Sequence, residues 1–291
     1  IVVDVIGRFI SLFYGIYLCR DIIVHKLTFF KFDILEVIDN IKVGSNLMLS
    51  NVASMLVIGT VRLGIEKRWD VATFGKISLT LSISNLIMTF INAVGIVIFP
   101  MLRRTEKSVL PELYVKIRTL LMPVLLGFLL LFFPLRTVLM IWLPKYADSL
   151  LYMALIFPIS VFEGKMALLI NTYLKAFRME RTILFVNLLS MLLSVLLTIV
   201  TTFIFPNLIL ATLSITFLLF FRCFLAEMLL AKSLEISVAL DALIEAIIAV
   251  IFIFAAWALP SLAGFLVYLV IYIIYMWIKI GSNKSLFTRL K

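Results

Sequence analysis

Apolar residues in this chain come in long blocks, not in one-sided stripes. The blocks run from Ile1 to Cys19, Val43 to Val61, Gly75 to Phe99, Ile117 to Ile141, Ala147 to Ile170, Ile183 to Phe205, Asn207 to Leu230, Ala242 to Leu259 and Leu262 to Ile280. Crossing about 30 Å of hydrocarbon takes roughly 20 helical residues. Each block meets that length, so the pattern predicts an all-α integral membrane protein of about nine transmembrane helices.

The punctuation agrees with this partition. Phe99-Pro100 closes the third block, Pro206-Asn207 separates the sixth from the seventh, and Pro260-Ser261 separates the last two, because the residue before a proline is driven out of the helical region. Pro123 and Pro158 fall inside blocks. There a lost backbone bond must be replaced by a neighbour or a cavity, so both predict kinks, structural or functional.

One stretch departs from the pattern. From His25 to Ile41, Phe30, Ile34, Ile38 and Ile41 share a helical face from which Lys31, Glu36 and Asp39 are absent, predicting an amphipathic helix in the membrane interface. His25, the sole histidine, is expected at the surface and supports no catalytic constellation.

Charge gives the blocks a direction. Basic residues follow the first block (Arg20, Lys26, Lys31, Lys42), the third (Arg103, Arg104, Lys107, Lys116), the fifth (Lys175, Arg178, Arg181), the seventh (Lys232) and the last (Lys279, Lys284, Arg289, Lys291). The opposite loops hold Arg62, Lys67 and Arg68, then Lys145, then none. The positive-inside rule therefore starts the chain outside and ends it in the cytoplasm.

Composition reinforces the membrane reading. The chain is 64% hydrophobic and 14% charged, with a mean hydropathy of +1.20, whereas a soluble domain is roughly half apolar and a quarter charged. The net charge of +10 is scattered over short loops with no continuous basic stripe, so no nucleic-acid partner is expected. Cys19 and Cys223 form neither a disulfide framework nor a metal-binding pair, and no metal or cofactor is expected. The first block lacks a basic leader and a cleavage site, which makes it a span, expected to belong to a longer parent protein.

Polar residues inside the blocks carry the candidate chemistry. Ser78, Ser82, Asn85, Thr89 and Asn92 recur every three or four residues in the third block, as do Asn187, Ser190, Ser194, Thr198 and Thr201 in the sixth. Such faces serve either close helix packing or a polar cavity. A charge at the bilayer centre costs roughly 2.5–3.5 kcal/mol on translocon scales, so each buried ion calls for a partner or water. Asp4 and Arg8 are spaced for an intrahelical pair. Glu163 and Lys165 point to opposite sides of their helix, and Arg222 and Glu227, five apart, are poorly placed to pair. Glu227 is near enough to the helix end to snorkel, while Asp241 and Glu245 suit the first turns of the eighth helix, where acids complement the helix dipole.

The stretch from Ile41 to Arg104 carries a family resemblance. It has a Gly44-Ser45-Asn46 entry to a helix that ends near Arg62, a short loop to Phe74-Gly75-Lys76, and a helix ending in Phe99-Pro100 before Arg103-Arg104. This resembles the polysaccharide and O-antigen-type flippases of the MATE-related (MOP) exporter superfamily. The family's frequent acid before the arginine is replaced by Val61, so a charge pair at that point is not expected. The resemblance implies a fourteen-helix, two-lobe exporter, of which these spans match helices six to fourteen. Residues 1–24 would be the last helix of the N-terminal lobe and 25–41 an interfacial linker. Residues 42–236 would form the six-helix C-terminal lobe, and 237–291 two extra helices with a cytoplasmic tail.

What the resemblance implies for function is translocation of a polyprenyl-diphosphate-linked oligosaccharide across the bacterial cytoplasmic membrane, for cell-surface polysaccharide, with no enzymatic step. The expected partners are that lipid-linked oligosaccharide, membrane lipids and a preceding N-terminal lobe. Arg8, Lys165 and Arg222 would meet the anionic headgroup, with Glu163, Asn85 and Asn92 completing the substrate-binding set. A multidrug cation antiporter of the same superfamily is the alternative, kept open by Glu163. A membrane glycosyltransferase or acyltransferase is disfavoured because no base, metal set or activated nucleophile is in view.

Overall fold

A computed structural model describes residues 2–18, 20, 33–104, 109–142, 144 and 149–282, apart from the side chains of 2–4, 87, 90–104 and 280–282. His25, Cys19, most of the 25–41 stretch and the side chain of Asn92 lie outside the described residues.

Among the described residues every regular element is helical: α1 (Val2–Leu18), α2 (Ile34–Arg68), α3 (Val71–Arg104), α4 (Leu110–Trp142), α5 (Ser149–Ala176), α6 (Glu180–Ile204), α7 (Leu208–Leu234), α8 (Ala239–Ala258) and α9 (Ser261–Ser282). Seven of these, α2 and α4 to α9, are long and apolar enough to cross a membrane. The chain is thus a multi-pass, all-α membrane protein. The other two expected spans fall on α1, of 17 residues, and on α3.

Two compact units divide the chain, Ile1–Ser45 and Asn46–Lys291, with the boundary inside α2. In the first unit, α1 carries exposed Phe9, Ile10, Phe13 and Tyr17. Residues 34–41, expected in an interfacial helix, are the opening turns of α2, begun by Asp33, whose carboxylate accepts from the Leu35 amide at 2.8 Å.

The second unit holds two cores. In one, α2, α3, α5, α6 and α7 pack around Val57, Ile77, Phe162, Leu169, Val186 and Leu219. The other joins α4, α5, α8 and α9, where Phe132, Phe133, Phe157, Phe252 and Tyr268 meet largely edge to face at centroid distances of 5.2–6.1 Å. Helix α5 serves both cores and is the most deeply buried of the seven. Large apolar side chains such as Leu192, Leu196, Phe254 and Trp277 point outward, the arrangement a lipid solvent favours.

Local chemistry sets the ends and bends. Asn207 caps α7 by accepting from the Ile209 and Leu210 amides at 2.9 and 3.2 Å. Asp70 caps α3 by accepting from Thr73 N at 3.0 Å, and the hydrogen bonds from Thr73 hold its carboxyl below the usual carboxylate range. Pro158 breaks α5 after Ile156, and at the break the Phe157 carbonyl accepts from both Ser160 N and Ser160 Oγ, at 3.2 and 2.9 Å. Pro100 behaves otherwise than expected: α3 runs through it to Arg104. It marks no helix end because a proline kinks a helix without necessarily ending it.

The α8–α9 hairpin depends on one absent side chain. A Cβ at Gly264 would run into the Ala255 carbonyl oxygen and lie 3.0 Å from the Phe133 ring, and a backbone atom cannot swing aside. Gly264→Ala should therefore lower stability by about 1–3 kcal/mol, seen as a reduced Tm in detergent. The same substitution at Gly59, with nothing within 4 Å, should be neutral or mildly stabilising through helix propensity.

Candidate functional site

Lipid offers helices no hydrophobic drive to associate, so polar contacts and close packing decide which faces meet. The α6 stripe is such a face. Asn187 Nδ2 donates to the Ser50 carbonyl at 3.1 Å and to its hydroxyl at 2.7 Å. Ser194 donates to the Val57 carbonyl at 2.6 Å and meets the Thr60 hydroxyl. Gly64 lies against Thr198 and Thr202, leaving no room for a Cβ. Of the two readings open for this stripe, packing against α2 is what the structure displays.

The α3 stripe behaves differently. Ser78 accepts from Arg62 Nη2 at 3.2 Å, and the Arg62 guanidinium sits 5.4 Å from the Phe74 ring centre. Farther along, Ser82, Asn85 and Thr89 are all exposed. The two hydroxyls fold back onto their own helix, Ser82 to the Ser78 carbonyl at 2.9 Å and Thr89 to the Asn85 carbonyl at 3.1 Å, the usual way a hydroxyl is satisfied in a membrane helix. The Asn85 amide has no hydrogen-bond partner among the described residues. Opposite them, Ile77, Thr80, Leu81 and Ser84 are buried.

The ionisable residues form two buried clusters. In the smaller, Arg222 is paired with Glu163 and donates to Ser54 Oγ at 2.6 Å, tying α7 to α5 and α2. In the larger, Lys165 Nζ bridges Glu227 Oε2 at 2.5 Å and Glu245 Oε2 at 2.7 Å. Arg118 closes the loop, with Nε on Glu227 Oε1 at 2.8 Å and Nη2 against Glu245 Oε1 at 2.7 Å. Two cations and two carboxylates thus alternate in a ring drawn from α4, α5, α7 and α8. Tyr114 donates to Glu227 at 3.0 Å.

The ring extends toward the membrane surface. Arg118 Nη1 also reaches Asp241 at 3.0 Å, which accepts from Lys279 of α9 at 2.6 Å. The side chains of Arg118, Lys165, Glu227 and Glu245 are at most 4% exposed, against 36% for Asp241. Arg118, Lys165 and Lys279 offset Glu227, Glu245 and Asp241, so the cluster is neutral. At 1.5 Å per helical residue, Arg118 lies about 12 Å along α4 from its N-terminal end.

These positions revise several expectations. Glu227 does not snorkel: it is fully buried, because three donors reach it there. Glu245 and Asp241 do more than complement a helix dipole, since Glu245 completes the ring and Asp241 extends it to Lys279. Lys165 and Arg222 are not open cations awaiting a phosphate, as carboxylates already hold them. Arg8 is exposed on α1 and engaged in an interaction, Asn85 is outward on α3, and Glu163 and Lys165 face separate clusters. Arg118 was missed from sequence because it lies within the first turn of the predicted span, where a cation reads as an interface residue.

No family model, curated protein or solved structure matches the chain. Among the described residues no group of His, Cys, Asp and Glu could hold a metal ion.

The ring makes a sharp prediction. Removing one partner of a buried ion pair strands the other and costs about 3–5 kcal/mol, whereas removing both in favour of apolar residues is often near neutral. Lys165→Met alone should lower Tm strongly. The double variant with Glu245→Met should regain at least half of that loss, read as the coupling term of a double-mutant cycle in detergent.

Proposed function

We propose that this chain belongs to a flippase for polyprenyl-diphosphate-linked oligosaccharide in the bacterial cytoplasmic membrane, serving cell-surface polysaccharide. The observation that carries the reading is the outward polar face of α3, above all Asn85. An unsatisfied amide facing hydrocarbon costs several kcal/mol, so a partnerless amide in an exposed row with Ser82 and Thr89 argues for an aqueous or sugar-bearing path beside it. Sugar hydroxyls are suited to such a face, since an amide both donates and accepts. Arg62 stands at one end of the same face and brings a planar fork that matches phosphate oxygens. The resemblance of Ile41 to Arg104 to polysaccharide exporters and the charge-derived orientation support the same reading.

In this scheme Lys165 and Arg222 act indirectly. Their carboxylate partners keep them inside the bundle, where they position helices, and the headgroup meets the α3 face with Arg62. The multidrug antiporter needs a carboxylate open to a cationic ligand. Glu163, its best candidate, is tied to Arg222, and Glu227 and Glu245 are each shared by two cations.

Binding separates the two readings. The purified chain should bind a polyprenyl-diphosphate saccharide and not a lipophilic organic cation such as tetraphenylphosphonium. Asn85→Leu should weaken saccharide binding by about tenfold, the loss expected when one hydrogen bond to the ligand is removed, with an unchanged circular dichroism spectrum. Binding of the cation, with no affinity for the saccharide, would sink the flippase reading.

A further inference from the structure

Helices α4 and α9 run antiparallel and touch at two fixed points. At one, Tyr272 donates to the Pro123 carbonyl at 3.1 Å and Tyr268 to the Leu126 carbonyl at 2.9 Å. The approach is close because residue 127 is glycine: a Cβ there would lie 2.9 Å from the Tyr272 hydroxyl. At the other, Lys279 reaches Asp241, which Arg118 of α4 also holds. Tyr272 and Lys279 are seven residues apart, about 10 Å along the helix. Between these anchors the helices leave a groove of about 330 Å³, walled by Leu120, Pro123, Val124, Tyr272 and Met276, with Lys279 at its end.

The walls are apolar and the end is basic. Lys116 lies three and four residues before Thr119 and Leu120, hence on the groove's face of α4. It is half-buried and makes no ion pair among the described residues; Glu112, one turn earlier, is exposed and does not pair with it. Lys279 is balanced by the neutral cluster, so Lys116 leaves one positive charge uncompensated at the mouth. The positive-inside orientation places this mouth at the cytoplasmic surface, where the leaflet's anionic lipids lie and basic pockets between helices collect their headgroups.

We propose that the α4–α9 groove is a binding site for an anionic glycerophospholipid of the cytoplasmic leaflet, its phosphate between Lys116 and Lys279 and one acyl chain along Leu120, Val124 and Met276. A zwitterionic lipid fits the walls equally well but brings its own cation to a basic mouth. The discriminating feature is therefore the headgroup.

The test titrates the full chain, delipidated in detergent, with phosphatidylglycerol or phosphatidylcholine, and reads bound lipid by native mass spectrometry. Phosphatidylglycerol should bind at least fivefold more tightly, and Lys116→Gln should remove about fivefold of its affinity, the contribution of one basic residue near a lipid headgroup. Val124→Trp fills the groove and should abolish binding of both lipids. Because Val124 is 55% exposed, its bulk falls outside the core and an unchanged Tm checks the fold. Equal binding of the two lipids would overturn the headgroup assignment, as would phosphatidylglycerol affinity untouched by Lys116→Gln. Full binding by the Val124→Trp variant would overturn the location. If inorganic phosphate bound as tightly as the lipid, the acyl-chain half would be wrong. A polyprenyl phosphate that displaced phosphatidylglycerol at lower concentration would show that the occupant is not a bilayer phospholipid.

Discussion

Two buried carboxylates shared by two buried cations set the terms for the rest of this structure. A single ion carried into the membrane interior is costly, and an isolated pair leaves lone pairs and protons without partners. The ring of Arg118, Glu227, Lys165 and Glu245 answers both problems. Glu227 receives donors on both oxygens, Glu245 receives Lys165 on Oε2 and has Arg118 Nη2 in ionic contact with Oε1, and each cation faces both carboxylates. Arginine is suited to the hub because its planar fork reaches Glu227, Glu245 and Asp241 with separate nitrogens. A lysine at that point, with one nitrogen, could not span the three.

The ring's sequence reach explains its structural weight. Arg118 is more than a hundred residues from Glu227 and Glu245, yet the ring closes only when α4, α5, α7 and α8 are all in place. Asp241 and Lys279 extend the same requirement to α9. Apolar packing in lipid is permissive about rotation and register, because lipid and leucine are equivalent neighbours. Fixed ionic partners are not permissive, and they hold the α8–α9 hairpin on the bundle in one register. The aromatic core around Phe132, Phe157 and Phe252 then fills the space so defined.

Much of the architecture was legible because the bilayer reads sequence by length and charge. Seven of the nine apolar blocks correspond to helices long and apolar enough to cross a membrane, the prolines at 206 and 260 fall between helices, and α2 extends well beyond its block at both ends. Pro100 was misjudged, since a proline near a helix end looks the same in sequence whether the helix stops or continues. The site was less legible. Spacing showed that Lys165 could not pair with Glu163, but partners for either lay far along the chain, and no local pattern encodes which helices become neighbours. The two polar stripes illustrate the same limit. Periodicity placed each on one face of its helix, yet only tertiary packing gave the α6 stripe to α2 and left the α3 stripe turned outward.

That division bears on how the molecule can move. A charge-balanced ring resists shear, because sliding any one of its helices by a turn would strand two ions at once. The α2–α6 seam is different. Its contacts are hydroxyls, one amide and a glycine, and such hydrogen bonds contribute about 0.6 kcal/mol each within membranes. Most of the hydroxyls can fall back on their own helix carbonyls, as Ser190, Thr201 and Thr202 already do. A seam of weak, replaceable bonds can open and close where a ring of ions cannot. Opening that seam would break none of the ion pairs that join α4, α5, α7, α8 and α9.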